Sequence, residues 1–277
     1  MKKKVLLPTD FSDNAWNAIK YAVELYKEEE CEFYVLNTHN IESSASEVML
    51  GKTYEEAEQK AQKGFNGILE KLSSLRNSKH TFHMVFEFRS LLQAVRNLIK
   101  NNDIDIIVMG TKGATGNKKL IYGSNAILIM EKVQNCPVLT IPEEASYKKI
   151  SEIIFPTDYK TNFKGKEVQR LVKIARINDA AIRIVHVSMN DILDEEQESN
   201  KKLLDEYFNG LTHTSHIVKS KDVQASISEF IESRNGDMIT FVNRKHSFLT
   251  NMFAKPLVQK LGLYSKIPIL VLHRAKK

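Results

Sequence analysis

Cysteine is scarce. Cys31 and Cys136 are the only two in 277 residues, they stand far apart, and neither belongs to a CxxC pair. That removes a disulfide framework and fits a reducing compartment. Glycine (11) and proline (6) are too few for a low-complexity or fibrous chain. No apolar run approaches the roughly 18 residues needed to span a bilayer. The opening Lys2-Lys3-Lys4-Val5-Leu6-Leu7 has the outline of a leader but stops at Pro8, short of a secretory core of about 7 to 15 residues. It reads as a first β-strand, and the expected location is cytoplasmic, with no membrane partner. Charge of one sign does not accumulate either: 40 Lys and Arg are interleaved with 34 Asp and Glu, so the net +6 forms no basic helix or aromatic-basic stripe. Nucleic acid is therefore not the expected partner. GxSxG, HExxH, GxxxxGKS or GxxxxGKT, and a GxGxxG after a strand are all missing.

What is present comes twice. Lys4-Val5-Leu6-Leu7-Pro8-Thr9-Asp10-Phe11 recurs as Glu152-Ile153-Ile154-Phe155-Pro156-Thr157-Asp158-Tyr159. Cys136-Pro137-Val138-Leu139-Thr140-Ile141 is matched by Ile267-Pro268-Ile269-Leu270-Val271-Leu272. Self-similarity at so long a period means a duplicated domain rather than a solenoid. A polar stretch at 143–149 separates a first domain (1–145) from a second (149–277).

Within each half, apolar strands alternate with amphipathic helices. The first half predicts a strand at 3–8, a helix from about Ser12 with Ser12 or Asp13 as N-cap, and strands at 33–36, 82–88, 104–109 and 138–141. Helices are predicted around 54–75, 91–100 and 121–133. The second half repeats the plan with strands at 153–156, 182–187, 214–218, 238–242 and 269–272. Such alternation requires right-handed crossovers and a mostly parallel sheet with helices on both faces. The expected fold class is α/β: two tandem five-stranded parallel domains.

The segment after the fourth strand carries the chemistry. Gly110, Gly113, Gly116 and Gly123 stand between a buried strand and a helix. Glycine allows close approach of a ligand and positive φ. The amides of Gly123, Ser124 and Asn125 fall at a helix N-terminus, which favours a phosphate. Lys112 offers a mobile positive charge. A turn that merely needs flexible residues is the alternative.

Gly110-x2-Gly113-x9-Gly123-Ser124 resembles the signature of the ATP-binding universal stress proteins, as do Thr9-Asp10-Phe11-Ser12 and Asn135-Cys136-Pro137-Val138. The resemblance covers nearly the whole chain twice over. It implies a Rossmann-like strand order 3-2-1-4-5, with the first and fourth strands meeting at the switch point where open α/β sheets bind ligands. It further implies that Pro8, Thr9 and Asp10 border adenosine, with Asp10 on the ribose or the adenine edge. Thr38 would read adenine through its backbone, and Met109 and Gly110 would floor the site. Lys112, Gly113, Gly123, Ser124 and Asn125 would hold phosphates. The alternative for Asp10 is a helix cap, and for Lys112 an ordinary solvated lysine. The implied ligand is ATP, or AMP or ADP, with or without Mg. Pairing of the two domains through their fifth strands and further homo-oligomerisation are also implied.

No catalytic residue is assigned. Pro-Thr-Asp-Phe-Ser replaces the SGGxD loop of adenylyl-transferring relatives, and no base for water is identifiable, so at most weak ATP hydrolysis is expected. A slow ATPase or ATP-dependent transferase and a nucleotide-free interaction module are the competing functions. In the second half either Val242 or Asn243 replaces Gly110, all three signature glycines are gone, and Pro256 removes an amide near the helix start. That half is expected to be structural, with a basic Arg244-Lys245-His246 loop. His80-x2-His83 and His213-x2-His216 put paired rings on opposite strand faces, so no metal site is expected. Asp194 to Glu198 reads as the start of a solvated helix.

Overall fold

Residue contacts divide the chain into two compact units, Met1–Tyr147 and Lys148–Lys277. The computed structural model describes residues 2–40, 54–112, 122–160, 163–190, 192–243 and 266–273.

In the first unit the near-continuous apolar run after Lys3 forms β1 (Lys3–Pro8), buried from Val5 onward. Ser12 caps the next element: its Oγ accepts the Ala15 N–H, and α1 (Asp13–Leu25) follows with Ala15, Ala18, Ile19, Ala22 and Val23 buried at helical spacing. The order continues β2 (Cys31–Thr38), α2 (Tyr54–Ser73), β3 (His80–Glu87), α3 (Leu91–Asn102), β4 (Ile106–Gly110), α4 (Ser124–Lys132) and β5 (Val138–Ile141). All pairings are parallel, and the strand order is β3-β2-β1-β4-β5. Right-handed crossovers that run first one way and then back put α1 and α2 on one face and α3 and α4 on the other. The Phe11–Phe65 and Lys71–Trp16 ring contacts join the first pair.

The second unit runs β6 (Glu152–Pro156), α5 (Gly165–Asn178), β7 (Ala181–Ser188), α6 (Glu195–Tyr207), β8 (His213–Lys219), α7 (Val223–Ser233), β9 (Met238–Asn243) and β10 (Ile269–His273). Its order, β8-β7-β6-β9-β10, repeats that of the first unit. Two tandem parallel α/β layers with the 3-2-1-4-5 order are therefore the fold.

Element bounds move by a few residues, and two of the shifts fall at expected site residues. The last helix of the first unit begins at Ser124 rather than at residue 121, because Tyr122 is driven into the core at 1% exposure and Gly123 takes an extended cap conformation. Thr38 is the final residue of β2, paired with Glu87, rather than lying past the strand.

Candidate functional site

The turn after β1 is built from its own side chains. Pro8 and Thr9 are buried. Thr9 Oγ1 accepts the Phe11 N–H at 3.0 Å, and Phe11 adopts φ 66°. The exposed Asp10 accepts at Oδ1 from the Ser12 N–H (3.1 Å) and from the Ser12 hydroxyl (2.6 Å), which aligns Ser12 to cap α1. The cap role weighed for Asp10 is thus one step removed: it orients the capping residue. From β2, Asn37 Nδ2 donates to the Thr9 carbonyl at 2.8 Å.

The other wall is the exit of β4. Met109 and Thr111 are buried at 5% and 2% exposure. Gly110 lies beside Asn14 of α1, and a Cβ here would stand 2.5 Å from Asn14 Oδ1 and 3.0 Å from the Asn14 carbonyl oxygen. Neither Gly110 nor Gly123 has positive φ; among the described glycines only Gly210 does. The missing Cβ at Gly110 therefore makes room for α1 rather than for an unusual backbone. Asn14 Oδ1 accepts the Lys112 N–H at 2.8 Å, and Asn14 Nδ2 donates to the Ile141 carbonyl at 3.2 Å. The Lys112 ammonium lies 3.9 Å from the Glu143 carboxylate.

The start of α4 is tied back to this exit. The Gly123 N–H donates to the Thr111 carbonyl at 2.7 Å, so this amide, expected to face phosphate, is already used. Ser124 and Asn125, the first two helical residues, are exposed. Their N–H groups belong to the first turn, where a helix supplies no acceptor and its dipole is positive. Tyr122 is anchored beneath them: burial raises its phenol above the ordinary range, against an opposing hydrogen bond to Thr140.

In the register of the parallel strands, Leu6 stands opposite Ile107, Pro8 opposite Leu36 and Gly110 opposite Ile141. Pro8, Thr9, Asp10, Thr38, Met109, Gly110, Lys112, Gly123, Ser124 and Asn125 consequently gather at one carboxyl edge, around the point where strand order reverses. Gly113 lies outside the described residues, as do Arg244, Lys245, His246 and Pro256. Asn14, Asn37 and Tyr122 were not singled out by sequence. Each looks locally ordinary, and its partner is distant in the chain.

The second unit repeats the turn. The Tyr159 N–H donates to Thr157 Oγ1 at 3.0 Å, Tyr159 has φ 56°, the Lys160 N–H donates to Asp158 Oδ1 at 3.0 Å, and His186 Nδ1 pairs with the Thr157 carbonyl at 2.9 Å. Its fourth strand differs. Met238 stands opposite Ile153 and Leu272 opposite Val242, which settles the one-residue ambiguity: Val242 takes the place of Gly110. The histidine pairs are not equivalent either. His213 stands opposite Ile182, whereas the residue opposite Phe33 is Phe82, so the second pair is offset by two positions. Among the described residues no group of three or more His, Cys, Asp or Glu side chains is placed to hold a metal, and no helix is long and apolar enough to cross a membrane.

The model of the universal stress protein family matches residues 1–142. One universal stress protein of Methanocaldococcus jannaschii is 27% identical over 149 residues, covering 50% of this chain and 81% of the relative. A second from that organism is 28% identical over 164 residues, covering 53% and 98%. The crystal structure of a universal stress protein from Archaeoglobus fulgidus DSM 4304 superposes with a TM-score of 0.73 at 18% identity, over 98% of each chain, a likeness of fold across both units. With the family model spanning more than half of its residues, the chain belongs to the universal stress protein family.

Proposed function

We propose that the first unit binds an adenine nucleotide, ATP or else AMP or ADP, at the carboxyl edge of β1 and β4. Occupancy then biases conformation or partner choice in a stress response, while the second unit, with its degenerate motif, serves a structural role. The observation that carries this reading is the exposed start of α4 at Ser124 and Asn125, tied through Gly123 to Thr111 beside the Thr9–Asp10 turn. Unsatisfied helix amides and a positive dipole suit phosphate oxygens, and the Asp10 carboxylate suits a ribose hydroxyl or an adenine amine. The intact spacing of Gly110, Gly113, Gly123 and Ser124 supports it from the sequence. Magnesium would arrive with the triphosphate. At most weak hydrolysis goes with this reading, because among the described residues of this edge none is assigned as a base for water.

The test is mass spectrometry of small molecules released from the denatured full-length protein, with thermal melts at rising ATP concentration, on wild type and Ser124→Glu. An acid in the first turn favours α4 itself but repels a phosphate, so the variant separates folding from binding. Wild type should release nucleotide or gain about 2.7 kcal/mol at 100 times its Kd, and the variant should lose at least about 10-fold in affinity, roughly 1.4 kcal/mol. No nucleotide and no ATP-dependent shift in wild type would sink the switch and favour an interaction module.

A further inference from the structure

Asn14 is engaged at both ends of its amide in a way that bears on the neighbouring loop. It is the second residue of α1, 5% exposed, and it joins three elements: α1 itself, the exit of β4 through the Lys112 N–H, and the end of β5 through the Ile141 carbonyl. A buried carboxamide satisfied as acceptor on one side and donor on the other fixes direction as well as distance. The Ile141 carbonyl also accepts the Thr111 N–H at 3.1 Å, and the Thr111 carbonyl takes the Gly123 N–H. A run of hydrogen bonds thus leads from Asn14 through Thr111 and Lys112 to the first turn of α4.

Gly110 belongs to the same device. Its missing Cβ leaves the space that the Asn14 carboxamide fills, with Oδ1 and Cγ 2.5 and 2.8 Å from where that carbon would be. Such distances cannot be relieved by a small adjustment, because the Asn14 backbone oxygen is also close. The second unit lacks the arrangement: Val242 stands at the glycine position, and α5 starts at Gly165, nine residues after Pro156, where α1 starts at Asp13, five after Pro8.

We propose that Asn14 is a positioning residue for the phosphate end of the nucleotide site, setting the Thr111–Lys112 exit and through it the start of α4 without touching ligand, and that Gly110 acts through Asn14. The proposal rests on the nucleotide reading of the first unit. Asn17, one turn further along α1, supplies a control. Its Nδ2 donates to the carbonyls of Pro142 (3.1 Å), Glu143 (3.4 Å) and Ala145 (2.8 Å), so it holds the exit of β5 and makes no bond to the Lys112 backbone.

The experiment is calorimetric titration of ATP and of adenosine into the full chain carrying Asn14→Ala, Gly110→Ala, both together, or Asn17→Ala. Loss of the Asn14 tie to the Lys112 N–H, worth about one hydrogen bond at the loop, predicts an ATP affinity about 10-fold weaker in Asn14→Ala and in Gly110→Ala. Adenosine should change by less than about 3-fold, and the double variant should be no worse than either single one. Asn17→Ala should lower Tm and leave the ratio of ATP to adenosine affinity as in wild type. Asn14→Ser replaces the alanine variant where that one does not fold. Unchanged ATP affinity in the Asn14 variants, or equal losses for ATP and adenosine, would overturn the proposal alone. A wild type that binds neither ligand would remove the nucleotide reading and the proposal with it.

Discussion

In the first unit the Thr9 carbonyl takes an amide hydrogen from Asn37 at 2.8 Å; in the second, the Thr157 carbonyl meets His186 Nδ1 at 2.9 Å. The turns that follow share an aspartate that accepts from the backbone two residues on and an aromatic residue at positive φ. What meets them differs. Helix α2 reaches Phe11 through apolar packing, with Phe65 edge-on at 5.5 Å and Gly64 beneath the ring. Helix α6 instead donates from Gln197 Nε2 to the Asp158 carbonyl and from Asn200 Nδ2 to the Tyr159 carbonyl, at 2.8 and 2.7 Å. One turn is thus roofed by hydrocarbon, the other knitted shut by side-chain amides. The same duplicated turn is met by an aromatic ring in one unit and by side-chain amides in the other.

The comparison breaks most visibly at the fourth strand. Gly110→Val imports the residue of the second unit, and its Cβ must displace Asn14. Overpacking together with the lost Asn14 hydrogen bonds is expected to cost about 2–4 kcal/mol and to abolish the ATP-dependent rise in Tm. The reciprocal Val242→Gly should cost about 1–2 kcal/mol, the backbone entropy of a glycine in a strand together with the loss of a half-buried side chain, and should confer no nucleotide binding. Thermal melts with and without ATP measure both. A Gly110→Val protein that melts and responds like wild type would show that the close approach of α1 to β4 constrains nothing.

The duplicated fold was legible because strand-ending Pro-Thr-Asp-aromatic is a rare local pattern and each buried strand is an unbroken apolar run. The register of the second unit was ambiguous by one residue from the apolar pattern alone. Asp105 and Asp237 resolve it. Each immediately precedes its fourth strand and accepts backbone N–H groups at the start of the first: Lys4 for Asp105, Glu152 and the preceding Ser151 for Asp237. That spacing was in the sequence, but its meaning depends on a partner some hundred residues away. Asn14 was illegible for the same reason. A polar residue in a first helical turn reads as solvent-facing, and nothing local says that its amide meets Lys112. The glycines drew attention correctly, yet the reason for Gly110 is a neighbouring helix and the amide of Gly123 is taken by Thr111.

A smaller effect is expected where α6 closes the second turn. Asn200 is 5% exposed, so Asn200→Ala leaves the buried Tyr159 carbonyl without this donor and should cost about 1–2 kcal/mol. In the first unit Asn37→Ala removes a tie of another kind, from the second strand to the Thr9 carbonyl, whose bond is only partly buried, and about 0.5–1.5 kcal/mol is expected. Urea melts of the two variants compare the ties directly. An Asn37 loss larger than the Asn200 loss would reverse the view that the second turn is the one held by its amides.

The least effect is one of pH. His216 of β8 stands opposite Val185, at the position that Val85 holds opposite Leu36 in the first unit. Burial lowers its pKa below the usual histidine value, with Arg234 and Arg183 adding to the shift and Glu152 opposing it. The folded chain therefore favours the neutral ring. On acidification the unfolded chain protonates first, near 6.5, so the stability His216 contributes above that pH is lost as pH falls from there toward its lower folded pKa. His216→Gln, which keeps a polar group for the hydrogen bond to Thr214, should flatten this part of the Tm–pH curve and leave the region above pH 7 in place. Val85→Gln, the matching change in a unit that carries no histidine there, should leave the acid slope as in wild type. An acid slope equally steep in His216→Gln would mean that desolvation of this ring does not separate the two units.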